Sequence, residues 1–341
     1  MKSCLKHSQK NKTAIAPLYL GATMLFLTAL LLGLLLGSTR LQPSDIWEAI
    51  VKGADGSAET SIFWYVRIPR TCASLLCGAA LAVAGAVIQY VLANRLASPS
   101  IIGVNAGAGL AVTLCGAFGI LGGWRLSLFA FLGAFLTVML VSLGAQKWGA
   151  SRGTVILMGV ALNALLGAVA DAVIIFFPEV AILGSDFRIG DFSAVTSAKL
   201  IPAAVAVLIT SLLLFSLSNE LDVLTLGDET AKGLGMNVHA MRVLFLMLAA
   251  LLAGAAVSIA GQLSFVGLLI PHAVRRVAGE RAKHLLPLCA LFGAGFVSLC
   301  DTVARTLFAP YEIPVGMIMS FLGAPFFIWI LIKRNGETYN A

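Results

Sequence analysis

Long runs without a single charge constrain this chain more than any other feature. No Asp, Glu, Lys or Arg occurs in 14–39, 71–94, 96–124, 126–146, 153–170, 200–219, 243–274, 285–300 or 313–332. A helix that crosses the hydrocarbon core of a bilayer needs about 20 apolar residues, and most of these runs reach that length. The run 243–274 is too long for one crossing, since a helix rises about 1.5 Å per residue. It contains the breakers Gly261, Gly267 and Pro271, so it divides near Gly261–Ser264. About ten helices result. Strands of a membrane barrel alternate polar and apolar residues over about ten positions, and these runs do not alternate.

Composition points the same way. Of 341 residues, 59% are hydrophobic and 11% charged, against about 25% charged in a soluble domain. Too little polar surface exists to cover a water-facing globule. A soluble enzyme, a disordered chain and a nucleic-acid-binding domain are excluded. The expected class is an all-α integral membrane protein.

Charge asymmetry orients the spans. Lys2, Lys6, Lys10 and Lys12 precede the first run, which is too long for the apolar core of a signal peptide. It reads as a retained anchor with its N-terminus in the cytoplasm. With ten spans, Arg40, Lys52, Arg67, Arg70, Arg125, Arg188, Lys199 and Arg305 fall outside, and the other 15 of the 23 basic residues fall inside. The positive-inside rule favours this orientation, with both termini cytoplasmic. The net charge of +7 then reflects membrane insertion and calls for no nucleic-acid partner. The chain divides into a tail 1–13, one transmembrane domain 14–333 with a cytoplasmic segment 221–242, and a tail 334–341.

The six cysteines and 34 glycines read as packing residues. Cys4, Cys72, Cys77, Cys115, Cys289 and Cys300 form no Cys-x-x-Cys pair that suggests a metal. Small residues inside spans let membrane helices approach closely.

Three segments exceed a packing role. Arg67-Ile68-Pro69-Arg70 opens the second span, setting two cations near the positive pole of a helix, where they are disfavoured. Snorkelling to lipid headgroups is one explanation, and an acidic docking partner outside the membrane is the other. Leu221–Arg242 reads as short helical pieces separated by Gly227, Gly233 and Gly235, with apolar Leu226, Leu234 and Met236 available to a cytoplasmic partner. Gly261–His284 holds Pro271-His272 ahead of a basic cluster.

Together these blocks resemble the FecCD-type permease subunits of ABC importers for iron-siderophores, haem and cobalamin. The resemblance is carried by 67–89, 94–109, 224–235, 261–287, 301–305 and 314–333, in the family's order. One departure is Asn94-Arg95-Leu96-Ala97, where the family usually has Asn-Pro-Leu-Ala.

The resemblance implies a second permease copy or paralogue, two cytoplasmic ATPase subunits and an external substrate-binding protein, in a bacterial inner membrane. Arg67, Arg70 and Arg305 match outer basic residues that pair with glutamates of the binding protein. Arg305 also has Asp301 four residues earlier, a spacing that permits an internal pair. Leu226, Gly227, Ala231, Leu234 and Gly235 match the segment that couples to the ATPase. Leu96, Ala150 and Ser151 match the inner gate. The chain has no Gly-x-x-x-x-Gly-Lys-Ser/Thr loop, so it is expected not to be an enzyme. ATP and Mg would sit on the partner ATPase, with no cofactor, metal or catalytic residue here.

The rival class is a proton-coupled secondary transporter, which needs carboxylates near the midplane. Asp171 is its one candidate, beside the polar residues Gln89, Asn105 and Asn163. Iron(III)-siderophore is the expected cargo, with haem and cobalamin as alternatives.

Overall fold

Among the described residues, fifteen α-helices account for nearly all the regular structure. The computed structural model describes residues 2–39, 41–53, 57–147 and 152–339. The first helices are α1 (Lys2–Leu35), α2 (Pro43–Lys52), α3 (Ala58–Ile62) and α4 (Ile68–Val91). The middle of the chain forms α5 (Val104–Ala117), α6 (Gly123–Lys147), α7 (Arg152–Phe176), α8 (Ala181–Ile189) and α9 (Ser197–Ser216). Two short helices follow, α10 (Ser218–Thr225) and α11 (Asp228–Gly233). The chain ends with α12 (Val238–Ala260), α13 (Val266–Ala278), α14 (Ala282–Thr306) and α15 (Val315–Tyr339).

Seven helical segments among the described residues are long and apolar enough to cross a membrane. They are Ile15–Leu35, Ala58–Val91, Gly123–Gly144, Gly153–Phe176, Ser197–Ser216, Val238–Ala260 and Ala282–Thr306. The charge-free run 243–274 breaks where expected. Helix α12 ends at Ala260, Gly261 turns with φ +70°, and Phe265 opens α13 at φ +67°.

Charge-free and helical are nevertheless different properties. Apart from the first two residues of α6, the run 96–124 yields a helix over Val104–Ala117 only. Its first part is a chain of turns through Ser98-Pro99-Ser100, and Gly103 starts α5 with φ +100°. Proline lacks the N–H for a helix interior and disfavours helical geometry before it.

Helix α4 lies at the centre. Of its apolar window, 83% is buried inside the chain, against 11% for α7. Helices α12 and α14 pack along α4, and α1 packs on α14. Glycine makes these contacts possible. A methyl group on Gly78 would collide with the Gly293 carbonyl of α14, and one on Gly85 with Gly267 of α13. With lipid as apolar as leucine, such close backbone approach replaces the hydrophobic effect as the cohesive term. On α7, Leu157, Leu165 and Ile175 remain exposed.

Candidate functional site

The functional residues gather at opposite ends of the α4–α14 pair. Helices α3 and α4 form one continuous rod, joined by a π-helical stretch Phe63–Arg67. Arg67 of that stretch donates through Nη1 to Leu34 O and Leu35 O (2.9 and 2.6 Å) and through Nη2 to Thr39 O (2.6 Å). These carbonyls lie at and just beyond the C-terminus of α1, where unsatisfied acceptors and the negative dipole end favour a cation.

Arg70 holds Asp301 of α14. Its Nε lies 3.1 and 3.2 Å from the two carboxylate oxygens and its Nη2 3.0 Å from Oδ1. Nη1 donates to Glu312 Oε2 at 2.5 Å, and Asp191 Oδ1 stands 3.7 Å from Nη2. Arg305 Nε is 3.6 Å from Asp301 Oδ2, and its Nη2 donates to Gly33 O at 2.7 Å. The internal Asp301–Arg305 pair read from the i, i+4 spacing is therefore present. Burial alone would raise the Glu312 carboxyl, but hydrogen bonds from Ser38 and Arg70 and the field of Arg305 hold it below the usual glutamate range.

Arg67, Arg70 and Arg305, matched above to residues that pair with a binding protein, are buried in this chain and not exposed. Each is under 5% exposed. Three guanidinium groups within one small region need acceptors once water is removed. Asp301, Glu312 and the carbonyls around the end of α1 supply them.

The opposite end holds the segment between α9 and α12. Leu221 and Leu224 of α10 are buried, and Leu226 after it is 58% exposed. Gly227 turns at φ +100° and Gly235 at φ +83°, bracketing α11. Ala231 is fully buried and anchors α11, whereas Leu234 is 64% exposed. Arg242 Nη2 binds both Asp228 oxygens (2.8 and 2.9 Å), clamping α11 to α12. Asn237 caps α12 by accepting from Ala240 N at 3.1 Å.

Leu96 sits half-buried in the turn after α4, its N–H donating to Asn94 Oδ1 at 2.9 Å. Arg95, in place of the expected proline, pairs with Glu280. Ala150 and Ser151 lie outside the described residues.

Sequence reasoning missed the polar ties beneath that turn. Gln89 Nε2 donates to Gly267 O at 3.2 Å, and Arg275 Nη1 donates to Gln89 Oε1 at 2.8 Å while its guanidinium lies 5.1 Å from the Tyr90 ring centroid. Asn163 Nδ2 donates to Ser100 O and Ile101 O (2.9 and 3.2 Å), fastening α7 to the turns before α5. Polar residues inside apolar runs were the available signal. Asp171, the rival candidate for proton coupling, is exposed on α7 and pairs with Arg188 at 2.6 Å. Among the described residues, no group of three His, Cys, Asp or Glu side chains is placed to hold a metal.

The sequence matches the FecCD transport family over residues 25–333. The chain belongs to that family. Among its relatives is the Fe(3+)-citrate import system permease protein YfmD of Bacillus subtilis, 35% identical, with 96% of this chain and 99% of that one aligned. The vitamin B12 import system permease BtuC of Vibrio cholerae is 34% identical over 97% of each chain. The hemin transport permease HmuU of Yersinia pestis is 34% identical over 94% of this chain and 97% of that one. A solved structure described as an inward-facing metal-chelate type ABC transporter aligns with a TM-score of 0.82 and 31% identity, covering 93% of this chain and 99% of that one. As a FecCD member with several long apolar helices, the chain is a multi-pass permease of the ABC importer type.

Proposed function

We propose that this chain is the membrane-spanning permease of an ATP-driven importer for iron(III)-siderophore complexes in a bacterial cytoplasmic membrane, with both termini cytoplasmic. Two permeases, this chain with a second copy or a paralogue, enclose the pathway. Each contacts one ATPase, which carries ATP and Mg. An external binding protein delivers the cargo to the end where Arg70 meets Asp301.

The observation that carries this reading is the segment 226–235. Leu226 and Leu234 are exposed leucines on a piece held firmly by buried Leu221, Leu224 and Ala231 and by the Arg242–Asp228 pair. A rigid apolar projection of this kind suits a groove on a soluble partner. Leu96, Ala150 and Ser151 form the inner gate in this reading. The arginines act chiefly as the frame of the docking face. Glu312 and Asp191, with side chains 31% and 29% exposed, sit at its rim.

The test is uptake by proteoliposomes containing the permease, its ATPase and its binding protein. Ferric hydroxamate, hemin and cobalamin are offered separately with ATP inside. Accumulation of the ferric chelate supports the proposal. Accumulation of hemin or cobalamin alone moves the cargo assignment within the family.

A further inference from the structure

Helix α14 is capped at its N-terminus by another helix. The residue at its own N-cap position is Arg281, which makes no side-chain cap hydrogen bond. Arginine carries no acceptor and cannot make one. The acceptor comes from Asp222 of α10, whose Oδ1 receives the Ala282 N–H at 2.8 Å. A carboxylate at this place satisfies an orphan donor and sits at the positive dipole end.

The same connection is gripped from its other side. Tyr90 at the end of α4 donates its hydroxyl to Glu280 O, and Arg95 pairs with the Glu280 carboxylate. That ion pair is solvated, 60% and 64% exposed, and contributes little. The two backbone-directed bonds, from Tyr90 and to Asp222, are the firm ones.

Helix α10 is itself rigid here, with Leu221 and Leu224 buried on one side of it and exposed Leu226 following its end. Helix α14 runs from Ala282 to Asp301 and Arg305, about 30 Å away at 1.5 Å per residue. Helix packing and this one hydrogen bond therefore join the exposed cytoplasmic piece to a rod that ends in the opposite charge cluster.

We propose that Asp222 is the positioning residue through which movement of the 226–235 piece is passed to α14. The inference rests on the reading that this piece faces the ATPase. A coupling route requires an element that both sites bias, and α14 is gripped at both ends.

The experiment uses the complete complex of permease, ATPase and loaded binding protein. Asp222→Ala removes the acceptor, whereas Asp222→Asn keeps an Oδ1 that accepts the same N–H. Loss of a cap acceptor corresponds to about a fivefold shift in a coupled equilibrium. Asp222→Ala should keep its ATPase through purification and its basal hydrolysis. It should lose about fivefold in binding-protein stimulation and gain amide exchange at Ala282. Asp222→Asn should stay within about twofold of wild type on every readout. Wild-type stimulation in Asp222→Ala, or equal impairment in Asp222→Asn, overturns the proposal. Should Asp222→Ala fail to accumulate in the membrane, Asp222→Ser replaces it, with a shorter arm that cannot reach Ala282. Full stimulation in that variant is equally contradictory. Leu226→Asp with Leu234→Asp separates the underlying reading. If that variant keeps its ATPase and its activity, the piece does not face the ATPase, whatever Asp222 does.

Discussion

Arg70 and Asp301, 231 positions apart, make the bond that closes one end of the bundle. Asp301 is fully buried and receives Nε and Nη2 of Arg70 at 3.0–3.2 Å. Because the two residues belong to α4 and α14, the bond also fixes how the central helix meets the neighbour it packs against most extensively. Removing Arg70 leaves Asp301 with the more distant Arg305 alone, and removing Asp301 leaves Arg70 with Glu312 while Arg305 loses its carboxylate, so each change approaches the cost of about 3–5 kcal/mol for breaking a buried pair.

Arg70→Ala and Asp301→Asn should each destabilise the protein by that amount, read as a drop in thermal unfolding temperature in detergent. The double variant should cost less than the sum, because the Arg70–Asp301 contact can be lost only once. Additive losses would mean that the two residues act independently.

The acid limb of stability depends on Glu312. Its carboxyl titrates below the ordinary glutamate range in the folded protein, held there by Ser38 and Arg70 against the effect of burial. The contribution is fully present above the ordinary value of about 4.3 and is lost as pH falls through the lower folded value. Glu312→Gln should flatten unfolding temperature against pH in that window. Asp222 works in the other direction. Burial raises its carboxyl, only partly offset by the Ala282 N–H and Arg281, so its contribution is present at low pH and fades as pH rises through the raised value.

Gly235 tests the turn rather than the space around it. No atom lies within 4 Å of a Cβ built there, yet φ is +83°. Gly235→Val should leave the long helices intact and tilt α11, lowering binding-protein stimulation of the ATPase several-fold. Gly235→Asn, which tolerates the left-handed region better, should retain most of it. Equal loss in both variants would point to the glycine surface itself.

The sequence was legible wherever one physical property dominated. Absence of charge located the long spans, and Gly261 marked the break in 243–274, whereas Pro271 lies inside α13 without ending it. It was less legible at Val104–Ala117, where a charge-free run contains turns as well as helix. Amphipathic α2 went unread, although Pro43 and Asp45 begin it and the Gln42 N–H donates to Asp45 Oδ2 at 2.8 Å. The arginine cluster shows the limit most clearly. Position and charge of Arg67, Arg70 and Arg305 were plain, and so was the Asp301–Arg305 pair, but the burial of Arg67 and Arg70 depends on the end of α1 and on Asp301 and Glu312, which lie far from them in sequence.

Gly293→Val should be among the most damaging single changes in the transmembrane region. Its Cβ would meet the Gly78 carbonyl and Ala82, so α4 and α14 must separate. Overpacking of this kind costs about 1–3 kcal/mol, more where backbone meets backbone. A fall in folded yield and unfolding temperature checks it, and unchanged values would mean that the crossing relaxes freely.

The most direct measurement is ATP hydrolysis by the reconstituted permease–ATPase complex, with and without loaded binding protein, for wild type and for Leu226→Asp with Leu234→Asp. The account predicts stimulated hydrolysis and chelate uptake in wild type. It predicts loss of the ATPase from the purified double variant while its helices stay folded. A double variant that retains the ATPase and full stimulation would contradict it.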